Sequence, residues 1–387
     1  MGFNKLKKII TQLSKLVYLY LINILSKPSI KKENYIIFLL SFPSTSDYLL
    51  ENLYKKYGER LIVCYTKSGS KLAKDFQKKG CNIYCIDKPL MICQAVLKMK
   101  RSRIILCDNY FALLAGFNFD KDTRIVQLWH ANGAIKKFGL QAQYAKKASF
   151  KDQQRYQKVY DTFTHFVVSS PTMAEIFAES YNIDPIFLKF GYPMTDYYFN
   201  RNEKNILKKK NVLSKGTNKK IALYVPTYRE NDYELPLDFE QIEEQIGDEW
   251  VFYIHAHPHD KNLKSLAKKY PSYFIDEMQH DLRNLLIVAD CLITDYSSVP
   301  FEFSLANPNG RIIYFCYDLQ LYKSSVGLQS GFEEWASPMV KDQNELLKEI
   351  KNERKTNFNS FNHKWNSFVS GNAVSQLIDW IDKQYEN

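Results

Sequence analysis

The chain has 387 residues, too many for one small core and a length that favours two domains. A hydrophobic fraction of 45% and a charged fraction of 25% are those of an ordinary soluble globular protein, and no low-complexity block, short-period repeat or heptad run is present. The formal net charge of +11 favours anionic partners: phosphates, nucleic acid or an acidic membrane surface.

At the N-terminus, Leu6, Ile9, Ile10, Leu13, Leu16, Val17 and Ile24 recur at helical spacing, with Lys5, Lys7, Lys8 and Lys15 on or near the edges of that face. The pattern predicts an amphipathic helix in residues 1–30 that lies in an anionic leaflet. The competing reading is a helix packed on the protein's own core. The run "LVYLYLINIL" is ten residues, short of the roughly 20 that span a bilayer. No small-residue cleavage site follows it, which argues against a signal peptide.

From residue 36 short apolar runs alternate with helix-like segments. "IIFLLS", "LIVCYT", "NIYCID", "RIILCD", "RIVQLWH" and "THFVVSS" read as strands, and "DYLLENLYKKYG", "SKLAKDFQKKG" and "PTMAEIFAESY" as helices. The alternation predicts β-α-β units and a parallel sheet buried on both faces. A lysine-rich stretch at about 202–220, with a short helix, reads as the junction between domains. The alternation then restarts with "IALYVP", "WVFYIHAHP", "YFIDE", "CLITDYSS" and "RIIYFCYD", and ends in the helices "QNELLKEIKN" and "AVSQLIDWIDKQY". The expected fold is therefore α/β with two Rossmann-type domains, residues 31–205 and 206–387. The seven cysteines include no CxxC pair and mostly sit inside apolar runs. They read as buried thiols in a reducing compartment.

Ligands of such folds bind at the carboxyl ends of strands. Polar chemistry lies at five of them: His130 after "RIVQLW"; Thr227 and Arg229 in "PTYRE"; His255, His257 and His259 in "HAHPHD"; Thr294, Asp295, Ser297 and Ser298 in "TDYSS"; and "GYP" at 191–193. Two serines before an apolar helix make either an anion site or simple N-caps. The three histidines suit phosphate binding or acid–base work better than zinc, since Pro258 breaks the strand and no matching cysteine pair exists. His130 is either a turn histidine satisfied by backbone or a general base. Gly133 and Gly139 would let the chain turn close to a ligand, and Lys136 and Lys137 would supply charge.

Together "WHANGAIKKFG", "LYVPTYRE", "HPHD" and "LITDYSSVPFEF" resemble, in order, the glycerophosphotransferases that use CDP-glycerol to build wall teichoic acid in Gram-positive bacteria. Four ordered motifs span roughly residues 125–305. The histidine motif departs from the "WHGTP" of long polymerases, and with no long N-terminal extension the chain looks more like the primase branch. His255 stands where relatives often carry arginine.

The resemblance implies a GT-B-like architecture with two parallel sheets facing a central cleft. An N-terminal domain would take an undecaprenyl-diphosphate-linked disaccharide (ManNAc-GlcNAc) and a C-terminal domain CDP-glycerol. His130 would be the base and His257 a second catalytic group. Thr227, Arg229, Thr294, Asp295, Ser297 and Ser298 would bind donor, and Asn132, Gly133 and Lys136 would bind acceptor or phosphate. No cofactor is obligatory on this reading, and magnesium stays open. The expected partners are the two substrates, an anionic membrane surface at the cytoplasmic face of the cell membrane, and other enzymes of teichoic acid synthesis. Nucleic acid is not expected, because the lysines spread over helices with no basic, aromatic-interleaved stripe. The alternatives are a short glycerol or ribitol phosphate polymerase and a GT-B nucleotide-sugar glycosyltransferase. A dehydrogenase would need a glycine fingerprint that "SFPSTSDYL" lacks.

Overall fold

A computed structural model describes residues 2–201, 203–229, 232–257, 260–275, 280–352 and 354–386. The chain divides into two units: Met1–Ala131 with Phe138–Asp196 and Phe368–Asn387, and Asn132–Lys137 with Tyr197–Ser367.

In the first unit, β1 (Ile36–Leu40), β2 (Leu61–Tyr65), β3 (Asn82–Cys85), β4 (Ile104–Cys107), β5 (Arg124–Gln127), β6 (His165–Val167) and β7 (Ile186–Leu188) form one sheet. Their order is β3-β2-β1-β4-β5-β6-β7, and every pairing is parallel. Every residue of β1, β2 and β4 is buried, as expected of aliphatic runs covered on both faces. Phe38, Leu40, Val63 and Leu106 share a core with Leu50 and Leu53 of the helix Pro43–Tyr57. The strand order reverses direction between β1 and β4. Such a switch point opens a crevice at the strands' carboxyl ends.

In the second unit, β8 (Lys220–Val225), β9 (Trp250–Ile254), β10 (Cys291–Thr294), β11 (Arg311–Phe315) and β12 (Met339–Val340) form a parallel sheet in the order β12-β11-β10-β8-β9. Here the switch point lies between β8 and β10.

Several boundaries differ from the sequence reading. The units part between Asp196 and Tyr197, ahead of the lysine-rich stretch, which is largely the helix Glu203–Leu213. The terminal helix Ala373–Glu386 belongs to the first unit, because Val374, Leu377 and Ile381 enter the core that the helix Pro43–Tyr57 covers. Asp196 accepts the Ala373 and Val374 N–H groups and so caps the helix start. Gly191 of "GYP" takes φ +85° where the returning chain passes, with Phe368 and Val369 against it. The "YFIDE" strand reduces to one bridge, Ile254 to Phe274, and residues 276–279 lie outside the described residues. β12 has only two residues, too few to leave a sequence pattern. All seven cysteines are free thiols, and six are buried, Cys93 being the partly exposed one.

The N-terminal helix runs Gly2–Ser26. Its predicted apolar face is exposed: Leu13 is 60% accessible and Val17 51%, and Leu6, Ile9, Ile10, Leu16 and Ile24 are also open. The reading in which this face packs on the core is therefore overturned. The helix docks by other groups. Gln12 and Lys15 donate to Asp152 of the helix Phe150–Tyr160, both at 2.7 Å. The Leu19 backbone lies so close to Gly116 that a Cβ there would meet its carbonyl oxygen at 2.5 Å. Ile22 and Ser26 are buried. By length and composition the window Ile9–Ser26 could cross a membrane, a longer apolar stretch than the ten-residue run suggests.

Candidate functional site

His130 is built by three neighbouring strand ends of the first unit. After β5, Trp129 adopts φ +65°, a costly conformation for a bulky residue. Gln127 stabilises it, accepting the Trp129 N–H at 2.9 Å while its amide donates to the Asn109 carbonyl. The turn places the imidazole between two rings, Phe42 at 3.8 Å and Trp129 at 4.2 Å, both stacked. Nδ1 lies 3.0 Å from the Asp108 carbonyl oxygen. A carbonyl only accepts, so Nδ1 carries the proton and Nε2 keeps its lone pair. Burial lowers the imidazole pKa to about 4, so the ring is neutral at neutral pH. A neutral, rigidly held imidazole with one free nitrogen is equipped to take a proton.

Asp108, at the end of β4, fixes this arrangement and was not singled out from the sequence. Its carboxylate is 1% exposed and accepts from the Ser41 N–H, the Phe42 N–H and the Ser46 hydroxyl at 2.8–3.0 Å. One residue thus ties down the Phe42 ring on one face of His130 and supplies the carbonyl that orients it. Burial raises the Asp108 carboxyl to about 6, with the three hydrogen bonds opposing. The available signal was the last letter of "RIILCD", an acid ending a strand next to "RIVQLWH".

In the second unit the predicted donor residues meet at the ends of β8 and β10. Thr294 Oγ1 donates to the Val225 carbonyl at 2.8 Å and locks the two strands together. Asp295 is fully buried and accepts from the Thr227 and Tyr296 N–H groups. Arg229 pairs with Asp295 at 3.0 Å and with both carboxylate oxygens of Asp318 at 2.8 and 3.0 Å. Rings of Tyr233, Tyr296, Tyr317 and Tyr322 surround its guanidinium. Arg229 is thus balanced by two carboxylates and serves as the centre of a frame. The Thr227 hydroxyl is buried with no hydrogen-bond partner among the described residues.

The segment Asn132–Lys137 is part of this second unit, although it follows His130 directly. Asn132 is 1% exposed and donates to the Phe301 carbonyl and to Asn366 Oδ1. A Cβ on Gly133 would meet the Phe301 ring at 2.4 Å. These two predicted ligand contacts are therefore anchors, with their surfaces spent on protein. Beyond them the segment pairs with 327–329: Lys137 N–H to the Gly327 carbonyl, Gln329 N–H to the Ile135 carbonyl, and a bridge between Lys136 and Leu328.

The seated strap delivers Lys136. Its ammonium sits 5.8 Å from the Tyr322 ring centre, and no hydrogen bond or ion pair engages it among the described residues. Burial lowers its pKa to about 8, against the attraction of Asp295. With Arg229 neutralised, Lys136 is a cation that the described residues leave for an anionic ligand.

Ser297 and Ser298 are partly exposed at the start of the helix Val299–Ala306, and Ser298 makes no side-chain cap bond. His257 is exposed, with its ring 5.1 Å from that of Tyr228. His255 is buried, and desolvation lowers its pKa to about 4. His259 lies outside the described residues. No cluster of histidine, cysteine and carboxylate groups suited to a metal occurs among the described residues.

The comparisons with known proteins agree with one another. The family model for CDP-glycerol:poly(glycerophosphate) glycerophosphotransferases matches residues 21–383. The teichoic acid glycerol-phosphate primase of Bacillus subtilis is 35% identical, over 91% of this chain and 93% of its own. The teichoic acid poly(ribitol-phosphate) polymerase of Bacillus spizizenii is 30% identical over 72% of this chain but 46% of its own. Among solved structures, the wall teichoic acid polymerase TagF superposes with a TM-score of 0.76 at 19% identity, covering 100% of this chain and 98% of that one. The chain belongs to the CDP-glycerol:poly(glycerophosphate) glycerophosphotransferase family and is a CDP-glycerol-dependent transferase.

Proposed function

We propose that the protein transfers glycerol phosphate from CDP-glycerol to a sugar hydroxyl of an undecaprenyl-diphosphate-linked disaccharide (ManNAc-GlcNAc), releasing CMP, as the priming step of wall teichoic acid synthesis. The observation that carries this reading is His130, neutral at physiological pH with Nδ1 held by a carbonyl. Nε2 takes the proton of the acceptor hydroxyl as its oxygen attacks the phosphorus bearing glycerol. The bond from that phosphorus to the bridging oxygen breaks, CMP leaves with the electron pair, and a phosphodiester remains. Lys136, His257, Ser297 and Ser298 neutralise the donor diphosphate, which is the usual source of most of the rate gain in such transfers. Arg229, Asp295, Thr227 and Thr294 hold the frame that presents them. No cofactor is obligatory on this account. Comparing rates with EDTA and with added magnesium measures any contribution of the ion to donor binding.

Support for priming over polymerisation comes from similarity, since this chain is 35% identical to a glycerol-phosphate primase and 27% identical to a poly(glycerol phosphate) polymerase. On this reading the protein works at the cytoplasmic face of the membrane, as a peripheral protein. Docking of the N-terminal helix along one side, with its apolar face outward, favours lying in the leaflet over crossing it. Incubation with CDP-glycerol and a synthetic lipid-linked disaccharide, followed by mass analysis, tests the function. One added glycerol phosphate is expected. A ladder of additions makes the protein a polymerase, and no addition rejects the reading.

A further inference from the structure

We propose that an exposed tyrosine corner of the first unit, formed by Tyr110, Tyr144 and Tyr156, binds the sugar of the lipid-linked acceptor. The inference rests on the function proposed above and adds the place where the saccharide sits.

Tyr144 is 62% exposed, and Tyr110 and Tyr156 are partly exposed. The Tyr156 ring stands 6.0 Å from that of Tyr110 at 80° and 6.1 Å from that of Tyr144 at 83°. Rings at right angles form a corner of apolar faces with hydroxyls at the edges, the combination that a sugar ring uses for stacking and hydrogen bonding.

Position separates this corner from ordinary surface tyrosines. Within the first unit Tyr110 belongs to the same aromatic core as His130, joined to it by ring contacts through the buried Tyr160 and Tyr181 and then Trp129. Tyr110 also follows, by two residues, the Asp108 carbonyl that orients the base. In the other direction, Tyr156 stands one helical turn after Asp152, on the same helix face. Asp152 holds Gln12 and Lys15 of the N-terminal helix, whose apolar side is open. Along the chain the corner thus adjoins, at Tyr110, the residue that orients the base and, at Tyr156, the residue that holds the surface suited to a lipid. A lipid-linked saccharide needs that sequence of contacts: hydroxyl at the base, sugar on aromatic rings, prenyl chain in the leaflet.

The test uses the full-length protein with CDP-glycerol and a lipid-linked disaccharide, in detergent and with a soluble short-chain analogue. Tyr144→Leu, Tyr156→Leu and Tyr110→Leu should each raise KM for both acceptors roughly 3- to 10-fold. The phenylalanine variants should recover most of the loss, and KM for CDP-glycerol and liposome binding should not move. Tyr144 is exposed enough that its variant folds even if the half-buried pair do not. Unchanged acceptor KM in Tyr144→Leu and in every other folded leucine variant overturns the site. A rise in donor KM alone, or a loss of binding to plain liposomes without a change for the soluble acceptor, overturns it too. If the parent protein transfers nothing to a lipid-linked saccharide, the functional reading itself fails, a result distinct from the other three.

Discussion

Asp108 and Lys136 matter here because neither works by being an obvious reactive group. Asp108 acts on His130 through the Phe42 ring and its own carbonyl. Asn in its place presents one accepting oxygen to three donors and turns an NH2 toward at least one of them. Asp108→Asn should therefore lower kcat on the order of 10- to 100-fold, the cost of a base out of alignment. KM for CDP-glycerol should hold, because the proposed donor groups belong to the second unit. A fall in kcat with an equal rise in donor KM would instead mean general damage. Lys136 makes a different prediction, in pH. Its pKa is lowered to about 8, so the ammonium is charged below that value and neutral above it. Asp295 and Arg229 are the charged groups acting on it, and the arginine is balanced by two carboxylates. Affinity for CDP-glycerol should fall as pH rises through about 8 or somewhat higher, since a bound diphosphate favours the charged form. Lys136→Ala should bind donor weakly at every pH and lack that limb. A limb that persists in the alanine variant assigns it to another group.

Two elements do more than their length suggests. The strap Asn132–Lys137 is six residues, yet Asn132, Gly133 and the pairing to 327–329 build it into the second unit's core. A strap so seated keeps Lys136 at the end of β10 with no hydrogen bond or ion pair from the lysine head among the described residues. The N-terminal helix is held by its polar side, which leaves an apolar stripe of nine large side chains, among the described ones, more than 45% exposed. Deleting the helix would uncover Gly116 and remove the buried Ile22 and Ser26, so a charge substitution is the cleaner probe. Leu13→Glu combined with Val17→Glu alters only exposed positions. It should leave the thermal unfolding profile unchanged and sharply reduce sedimentation with anionic liposomes. Salt should weaken the parent's binding in part, through its lysines. Undiminished sedimentation of the double variant would move membrane attachment to another surface.

At the scale of the whole chain, the parallel sheets were legible because buried strands read as unbroken aliphatic runs between helical segments. The positions of His130 and the serine pair just beyond β5 and β10 were legible because strand ends are few and polar groups at them are conspicuous. The roles of Asn132, Gly133 and Arg229 were not, since partners such as Phe301, Asn366 and Asp318 lie about 90 to 235 positions away in sequence. Asp108 was missed for the same reason, and so was the return of the terminal helix. That return makes the first unit discontinuous and yields a final expectation. Leu377 is fully buried in the core beneath the helix Pro43–Tyr57. Leu377→Ala removes three buried heavy atoms and leaves a cavity, which should cost about 2–5 kcal/mol of stability. Circular dichroism follows the transition during denaturant unfolding. Because the proposed donor groups all belong to the second unit, the folded variant should still bind CDP-glycerol with the parent's affinity. Weakened donor binding under conditions where the circular dichroism remains native would show that donor recognition depends on the first unit's core, and the division of labour between the two units would have to be redrawn.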